Sequence, residues 1–390
     1  MDVNLVTYMN NQLKATDTDF HRYMYDRIDW SGRMFGLVGP RGVGKTTLFL
    51  QYIKEHIDDE RMFYVSADNI YFSGHSLVEL ADEFCREGGQ YLFIDEVHKY
   101  SNWSQELKQI YDTHPDLRIA FTGSSVLDIN KGEADLSRRA PIYMMQGLSF
   151  REYLILFKHL DAPLLSLDQI VGGMAKMDWI NHPLPYFKEY LRRGYYPFSG
   201  DSQFEIELSQ IINLTMEVDI PLFAGMNTST GRKLKRLLAI VAKSVPFKPV
   251  MDKIAKLINV SRNDLGDYFM YMEKAGMLSQ LRDETGGIMG LGKIDKVYID
   301  NTNIAYILGE QAADIGNIRE TFFFNQMRVN NNVVSSKISD FNINGRIFEV
   351  GGKNKGQRQI AEASEGYVVK DDIEFASGNV IPLWQFGLNY

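Results

Sequence analysis

The segment Gly39–Thr46, with the sequence GPRGVGKT, constrains the fold of this chain more than any other feature. An apolar run, Met34–Val38, precedes it, and apolar residues at helical spacing follow it. Glycines let backbone amides converge on an anion, and the start of the next helix adds positive potential. The pattern G-x-x-x-x-G-K-[ST] therefore predicts a loop that holds nucleotide phosphates. The predicted binding residues are Gly39, Pro40, Arg41, Gly42, Val43, Gly44, Lys45, Thr46 and Thr47.

Side chains in and beyond this loop predict catalysis as well as binding. Lys45 supplies a positive charge for the β- and γ-phosphates, and the Thr46 hydroxyl is a Mg²⁺ ligand. A second apolar run, Tyr91–Ile94, ends in Asp95 and Glu96. Asp95 is predicted to join Thr46 at the metal, and Glu96 to act as the general base on the attacking water. An acidic pair that only ends a strand is the alternative.

A polar turn and two arginines complete the predicted site. The run Arg118–Phe121 leads into the sequence TGSS, where Ser124 is the predicted sensor of the γ-phosphate and Thr122 and Ser125 are neighbours that could substitute for it. A turn that only ends the strand is the alternative. Further on, Arg138 and Arg139 follow in the sequence SRRAP, and Arg139 is predicted to stabilise charge on the transferred phosphoryl group. The sequence leaves open whether either arginine acts within its own subunit or on a neighbouring one, or is simply solvated.

Strand and helix patterns alternate through residues 1–150, which predicts an α/β P-loop NTPase core with a parallel sheet. Four strands are predicted from short apolar runs, at Met34–Val38, Met62–Val65, Tyr91–Ile94 and Arg118–Phe121. Helices are predicted at Leu77–Cys85 and Ser104–Asp112 from their spacing. A ligand is expected at the carboxyl ends of the strands.

Three further regions are predicted after the core. Residues 151–230 show helical spacing and are interpreted as a lid or linker. Residues 231–309 give three helices (232–243, 249–258 and 261–274) and two strands (277–282 and 296–300), the order of a winged helix. Residues 310–390 suggest a small α/β unit with a helix at 317–329 and strands near Asn332, Ile347 and Tyr367.

Composition excludes several classes of protein. The formal net charge is −8, which argues against a generic nucleic-acid binder. Cys85 is the single cysteine, so no disulfide forms within the chain. No apolar stretch is long enough to predict a membrane span, and the first residues do not resemble a secretion signal. The prediction is a cytoplasmic protein without membrane contact.

Several segments together resemble the prokaryotic AAA-type ATPases of the AAA+ superfamily that carry a C-terminal DUF4143 region. These segments are GPRGVGKTTLF, YLFIDEVHKYSNWSQELKQIYD, IAFTGSS, QGLSFREYL, YLRRGYYPF, INVSRNDLGDYFMYMEKAGML and KVYIDNTNIAYILG. The resemblance implies an AAA+-like core, a helical lid, a winged helix and a restriction-nuclease-like remnant. It assigns ATP-handling roles to Lys45, Asp95, Glu96 and Ser124. The glycine that usually precedes the family's arginine is replaced here by Arg138.

The nuclease-like remnant raises the question of a second metal site. Glu320, Asp340, Glu349 and Lys353 are its candidates. Lys353 lies four residues after Glu349 instead of two, so a degenerate domain is predicted rather than an active nuclease. We therefore expect Mg²⁺-dependent ATP hydrolysis coupled to the C-terminal modules, with DNA or protein as the partner of the winged helix. The alternatives are a slow ATP-binding switch that controls a homo-oligomer and an ATP-controlled DNA nuclease.

Overall fold

The computed structural model divides the chain into an N-terminal unit, Met1–Gly147, and a C-terminal unit, Leu148–Tyr390. The first boundary lies three residues before the predicted one, and the finer division of the second unit stays a prediction. The structure describes residues 1–57, 61–123, 136, 138–173, 178–227, 229–243, 250–284, 293–309, 314–356 and 358–390.

The N-terminal unit is a parallel sheet with helices packed around it. Its strands are β1 (Met34–Val38), β2 (Met62–Ser66), β3 (Tyr91–Asp95), β4 (Arg118–Gly123) and β5 (Ile142–Met144). Its helices are α1 (Val3–Ala15), α2 (Lys45–His56), α3 (Leu77–Arg86) and α4 (Trp103–Thr113). Every residue of β1, β2 and β3 is buried, which explains why these strands are continuous apolar runs.

Strand order places the functional ends of the strands together. The order is β2-β3-β4-β1-β5, and every pairing is parallel. All carboxyl ends therefore lie on one edge of the sheet, with β4 between the strand that enters the phosphate loop and the strand that ends in Asp95. This confirms the α/β P-loop NTPase core predicted from the alternation of strands and helices.

The C-terminal unit begins with helices and ends with a second sheet. Its helices are α5 (Phe150–Lys158), α6 (Leu167–Val171), α7 (Pro183–Arg193), α8 (Phe204–Leu214), α9 (Ile220–Ala224), α10 (Ser229–Lys243), α11 (Met251–Ile258), α12 (Arg262–Lys274), α13 (Thr302–Gly309) and α14 (Ile315–Met327). Its strands are β6 (Leu278–Arg282), β7 (Ile294–Ile299), β8 (Val333–Ser335), β9 (Phe341–Ile343), β10 (Arg346–Gly351), β11 (Gly366–Lys370) and β12 (Val380–Pro382).

The helices α10, α11 and α12 followed by the antiparallel pair β6–β7 have the predicted order of three helices and two strands. Four of the predicted ends, at residues 243, 258, 274 and 282, are exact, and the other bounds differ from the predicted ones by one to three residues. The second sheet has the order β12-β11-β10-β9-β8, with parallel and antiparallel pairs. Helix α14 begins and ends two residues earlier than predicted.

Aromatic packing forms the core of the C-terminal unit. Phe150 contacts Phe187, Tyr190 and Trp384, with ring centroids 5.4, 5.5 and 6.4 Å apart. Phe322 joins the group through Phe187, at 4.8 Å. Because these rings come from α5, α7, α14 and the segment after β12, these helices and the C-terminal segment share one core. Across the described parts of the chain, no helix combines the length and apolarity needed to cross a membrane.

Candidate active site

The phosphate loop connects β1 directly to α2. Gly42 and Gly44 adopt positive φ angles of 77° and 97°, and Gly44 is the last residue before the helix. A Cβ on Gly39 would lie 2.1 Å from the carbonyl oxygen of Met145, so only glycine fits there. Val43 is fully buried and anchors the middle of the loop. This backbone presents the N-terminus of α2 to the carboxyl edge of the sheet, where an anion is favoured.

Lys45 is buried inside the loop. Its Nζ donates hydrogen bonds to the carbonyl oxygens of Gly39 at 2.9 Å and Pro40 at 2.8 Å. Burial lowers the pKa of Lys45 to about 8, while the charges of Glu96 and Asp95 oppose this shift and Arg41 adds to it. The ammonium group thus lies among backbone oxygens close to two carboxylates, where phosphate oxygens would stabilise its charge.

The Asp95 carboxylate lies at the centre of a hydroxyl cluster. Its Oδ2 accepts hydrogen bonds from the Thr46 hydroxyl at 2.7 Å and the Tyr64 hydroxyl at 2.9 Å. Its Oδ1 accepts from the Thr122 hydroxyl. Strand register explains the cluster, since Ser66 lies opposite Asp95 and Phe121 opposite Ile94, which puts Tyr64 and Thr122 on the same face as the carboxylate. Sequence reasoning did not find Tyr64, and Thr122 was only a neighbour of the expected sensor.

Thr46 and Asp95 suit a magnesium ion. Both offer oxygen, the donor that Mg²⁺ prefers, and Mg²⁺ in nucleotide sites takes its remaining ligands from phosphates and water. Asp95 is 3% exposed, and its hydrogen-bond donors hold the carboxylate in one orientation. Among the described residues, no group of three or more His, Cys, Asp or Glu side chains forms a protein-only metal site. The two oxygen donors of Thr46 and Asp95 fit a metal ion whose other ligands are phosphates and water.

Glu96 is held in a left-handed backbone conformation, with φ of 53°. Its amide donates to the Thr122 hydroxyl at 3.1 Å and to Asp95 Oδ1 at 3.2 Å. His98 Nε2 lies 3.5 Å from Glu96 Oε2. Burial lowers the pKa of His98 to about 3, with further lowering by Lys99, Arg41 and Lys45, so the ring is neutral and this contact is not an ion pair. Glu96 keeps a partly exposed side chain at the edge where a nucleotide would bind.

The segment before β1 braces the phosphate loop. The buried Arg22 guanidinium donates to the carbonyl oxygens of Val43 and, at 2.8 Å, Gln146. The hydroxyl of Tyr23 accepts from the Gln146 amide at 3.0 Å. These contacts connect three distant parts of the chain around the loop. No sequence motif marks Arg22, so its contribution was not predicted.

A family model for an AAA domain matches residues 31–154. The matched part has the P-loop NTPase fold described above, and we call it the AAA domain after the model that it matches. The model for a domain of unknown function, DUF8612, matches residues 184–312. That model, rather than the expected DUF4143 family, describes the helical region and the three helices with their strand pair. No curated protein matches the chain.

Solved structures similar to the chain share little sequence with it. The Walker-type ATPase paby2304 of Pyrococcus abyssi is 12% identical, with a TM-score of 0.46, over 76% of this chain and 99% of that one. AMPPCP-bound DnaA from Aquifex aeolicus is 12% identical, with a TM-score of 0.26, over 70% and 89%. Domain III of the replication initiation protein DnaA from Thermotoga maritima is 12% identical, with a TM-score of 0.27, over 42% and 73%. Similarities this weak carry no argument about function.

Arg139 lies away from the phosphate loop of its own AAA domain. Its guanidinium makes two hydrogen bonds of 3.1 Å with the carboxylate of Asp112, near the end of α4. Arg33, which precedes β1 at the amino edge of the sheet, contacts the carbonyl oxygens of Tyr111 and His114 in the same turn. The Asp112–Arg139 pair therefore lies at the amino edge, opposite the phosphate loop. Arg138 is exposed, and Ser124 lies outside the described residues.

The acids proposed for a second metal site are held by lysines. In the C-terminal unit, Lys296 Nζ lies 3.2 Å from Glu320 Oε2 and 3.0 Å from Asp340 Oδ1. Tyr298 also donates to Glu320, at 2.6 Å. Burial raises the pKa of Glu320, the Asp340 charge adds to this, and Lys296 opposes it. An ammonium group thus occupies the space between the two carboxylates that a metal ion would need.

Glu349 belongs to a separate pair. It is buried and contacts the ammonium of Lys355 and the hydroxyl of Ser339. The expected lysine, Lys353, is exposed on the loop after β10. The structure thus brings Glu320 and Asp340 together but leaves Lys353 outside this cluster. Glu349 pairs with Lys355 instead, two residues after Lys353. These contacts argue against nuclease chemistry here.

Proposed function

We propose that this protein binds ATP with Mg²⁺ and hydrolyses it. The observation that carries this proposal is the convergence of Lys45, Thr46, Asp95 and Glu96 at one edge of the AAA domain, supported by the hydroxyls around Asp95. Glycine geometry in the loop and the N-terminus of α2 provide the phosphate site. The sequence has no N-K-x-D motif at a strand end to read guanine, which favours adenine.

In the proposed mechanism each residue has one task. The backbone N–H groups of the loop 39–47, apart from Pro40 which has none, would bind the phosphates together with the Lys45 ammonium. Thr46 and Asp95 would hold Mg²⁺, which would neutralise charge on the β- and γ-phosphates. Glu96 orients a water molecule and accepts its proton as the water oxygen bonds to the γ-phosphorus. The bond from that phosphorus to the ADP oxygen breaks, which leaves ADP and inorganic phosphate. Ser124 remains the proposed sensor of the γ-phosphate.

Substitution of Glu96 by glutamine tests this proposal. The variant keeps the size of the side chain but cannot accept a proton, so ATP binding should persist while turnover falls by about a hundredfold or more. Phosphate release measures turnover, and a fluorescent ATP analogue measures binding. Lys45→Ala should lose both. Absence of Mg²⁺-dependent hydrolysis by the unmodified protein, with or without DNA, would remove the enzymatic part of the proposal.

A nucleotide-controlled homo-oligomer is a second candidate, favoured by the position of Arg139. An arginine at the amino edge cannot reach the phosphates at the carboxyl edge of its own sheet, but it suits a neighbouring subunit's site. The Glu96→Gln variant with ATP should then form a larger species than the same variant with ADP. Analytical ultracentrifugation measures the size of the assembly in each nucleotide. If the unmodified protein assembles with ATP but shows negligible turnover, the slow switch is favoured over an ATPase that turns over continuously.

The proposed output is a change in the C-terminal unit that alters binding to DNA or protein through helices α10–α12 and strands β6–β7. Helix α12 exposes Arg262 together with Asp264 and Asp267, and Arg262 faces Asp252 at 3.6 Å. This mixed charge favours a protein partner, because a DNA-reading helix normally has a positive face. A mobility-shift titration with duplex DNA at two salt concentrations tests the choice. Salt-dependent binding lost in Arg262→Ala would favour DNA.

A further inference from the structure

Tyr64 is a buried donor to the metal-binding carboxylate that no nucleotide-binding motif includes. It lies in the middle of β2, one strand away from Asp95, and is 1% exposed. Its hydroxyl donates to Asp95 Oδ2 at 2.9 Å, the same oxygen that accepts from Thr46. A phenol hydroxyl carries its proton at neutral pH, so Tyr64 is the donor and the carboxylate the acceptor in this hydrogen bond.

Without Tyr64, one oxygen of the carboxylate would depend on Thr46 alone. Thr46 is itself a proposed metal ligand, so its hydroxyl takes part in metal binding and does not act as an independent support. Tyr64 is independent of the metal, because its ring comes from the neighbouring strand and its hydroxyl donates to the carboxylate without being a metal ligand itself. Groups that orient a metal-binding carboxylate in this way raise the affinity for the metal.

Helix α1 in turn holds Tyr64 in place. Tyr8 stacks on the Tyr64 ring, with centroids 6.3 Å apart and an interplanar angle of 16°. The backbone N–H of Tyr64 points at the sulfur of Met9, at 3.3 Å. Helix α1 lies before residue 31, where the match to the AAA family model begins. A helix outside the matched region therefore supports the residue that orients Asp95.

We propose that Tyr64 is a positioning residue that sets the Mg²⁺ affinity of the nucleotide site by fixing the Asp95 carboxylate through its hydroxyl. The inference rests on the proposed Mg²⁺-dependent binding of ATP. Tyr64 then controls the Mg²⁺ concentration that nucleotide binding requires, and not the affinity of the phosphate loop for the nucleotide itself.

Tyr64→Phe tests this, because it removes only the hydroxyl. Binding of a fluorescent ATP analogue is titrated with Mg²⁺, and Mn²⁺ binding to the same complex is followed by electron paramagnetic resonance. The half-saturating Mg²⁺ concentration should rise about tenfold, and Mn²⁺ affinity should fall by a similar factor. Affinity for the analogue in EDTA should stay unchanged, since the phosphate loop is untouched.

Tyr91→Phe is the matched control. Tyr91 is also a buried sheet tyrosine, but it begins β3 at the amino edge, where its ring lies 4.9 Å from the Arg118 guanidinium. The Tyr91→Phe substitution should leave the Mg²⁺ titration unchanged. Thermal unfolding without nucleotide measures any loss of stability in either variant.

Three results separate the possibilities. If Tyr64→Phe titrates like the unmodified protein, or weakens binding equally in Mg²⁺ and in EDTA, the positioning role is wrong. If Tyr91→Phe shifts the titration as much, the effect is general loss of packing and the role is again wrong. If the unmodified protein binds no nucleotide under any condition, the proposed ATP function is wrong. If the unmodified protein titrates normally and Tyr64→Phe titrates in the same way, only the positioning role is wrong.

Discussion

Glu96, the proposed general base, has a strained backbone. A non-glycine residue in the left-handed region costs about 1–2 kcal/mol, and this cost persists only where the surroundings enforce it. Here the amide hydrogen bonds to Thr122 and Asp95 enforce it. The proposed metal ligand and the proposed base are thus consecutive residues, and the backbone turn between them is fixed by these hydrogen bonds.

Glycine and alanine at position 96 should therefore differ in stability but not in activity. Both remove the carboxylate and should abolish turnover, whereas only glycine relieves the left-handed strain at φ of 53°. Glu96→Gly should exceed Glu96→Ala in free energy of unfolding by about 1 kcal/mol. Urea unfolding without nucleotide measures the difference. Equal stabilities would show that the backbone at this position relaxes once the side chain is shortened.

His98 predicts a loss of stability in acid. Its pKa is lowered from 6.5 to about 3 in the folded protein, mainly by burial. Between those values the unfolded chain binds a proton that the folded chain excludes, so stability is present above pH 6.5 and decreases as pH falls. From pH 7 to pH 5 this histidine should account for a loss of about 2 kcal/mol.

The His98→Gln variant isolates this effect, because glutamine does not titrate. The drop in unfolding free energy between pH 7 and pH 5 should be about 2 kcal/mol smaller than in the unmodified protein. His75→Gln, at an exposed histidine, provides the control and should keep the original drop. If the unfolding free energy of His98→Gln falls as much between pH 7 and pH 5 as that of the unmodified protein, residues other than His98 cause the loss of stability.

Single residues differ in how far the sequence could predict them. Lys45, Thr46, Asp95 and Glu96 lie within two short motifs, so the sequence could predict roles for them, which stay predictions. Tyr64 and Thr122 reach Asp95 because β2 and β4 flank β3, and strand order is a property of the whole sheet. Once that order is known, the alternation of side chains along each strand is sufficient to predict both contacts.

At the scale of elements, the strands of five or six residues in the AAA domain were predictable, and most of the described strands of three residues were not. The first four strands of the AAA domain were expected within one or two residues, because two buried faces require uninterrupted apolar runs. The three-residue strands β5, β9 and β12 were not expected. Such short segments lack enough residues to show a periodic pattern, and their pairing depends on neighbours far away in the chain.

The lysine-filled acid cluster predicts a large effect on stability. Lys296→Met would leave the carboxylates of Glu320 and Asp340, on α14 and before β9, without their cation. Removal of one partner of a buried ion pair costs about 3–5 kcal/mol. Since burial raises the pKa of Glu320, this carboxyl takes up a proton more readily in the folded variant. The loss should therefore be largest at pH 7 and smaller at pH 5.

Urea unfolding at the two pH values measures this effect. The double variant Lys296→Met with Glu320→Gln removes one buried charge and should recover part of the loss. Lys353→Met, at an exposed lysine, should change stability by no more than about 0.5 kcal/mol. If Lys296→Met is as stable as the unmodified protein, Glu320 and Asp340 are accessible to solvent. The two acids would then again be candidates for a metal site.

For the whole molecule, the two units divide the proposed tasks. The N-terminal unit contains every residue placed in ATP binding, from Gly39 to Glu96, and the C-terminal unit contains the helices and strands proposed for partner binding. Sequence could predict this division from a change in periodicity near residue 150. The sequence could not predict that the C-terminal acids form ion pairs. Their partners, Lys296 and Lys355, reach them only through the packing of the folded unit.

The position of Arg139 makes a prediction that only an assembly can satisfy. In a head-to-tail contact between subunits, the amino edge of one AAA domain can face the carboxyl edge of the next. Arg139→Ala should then lose turnover because the neighbouring site lacks its arginine, whereas Glu96→Gln loses turnover within its own site. Each variant alone should be inactive.

Mixing these two inactive variants should restore hydrolysis. In an equal mixture, about one quarter of the contacts join a subunit with intact Glu96 to a neighbour with intact Arg139, so activity should approach a quarter of the unmodified level. Native mass spectrometry of differently tagged subunits verifies that mixed assemblies form, and Arg138→Ala in place of Arg139→Ala shows whether the exposed neighbour matters. If verified mixed assemblies stay inactive while both variants remain folded, Arg139 does not act across subunits, and its pair with Asp112 is a structural link between α4 and the segment that leads into β5.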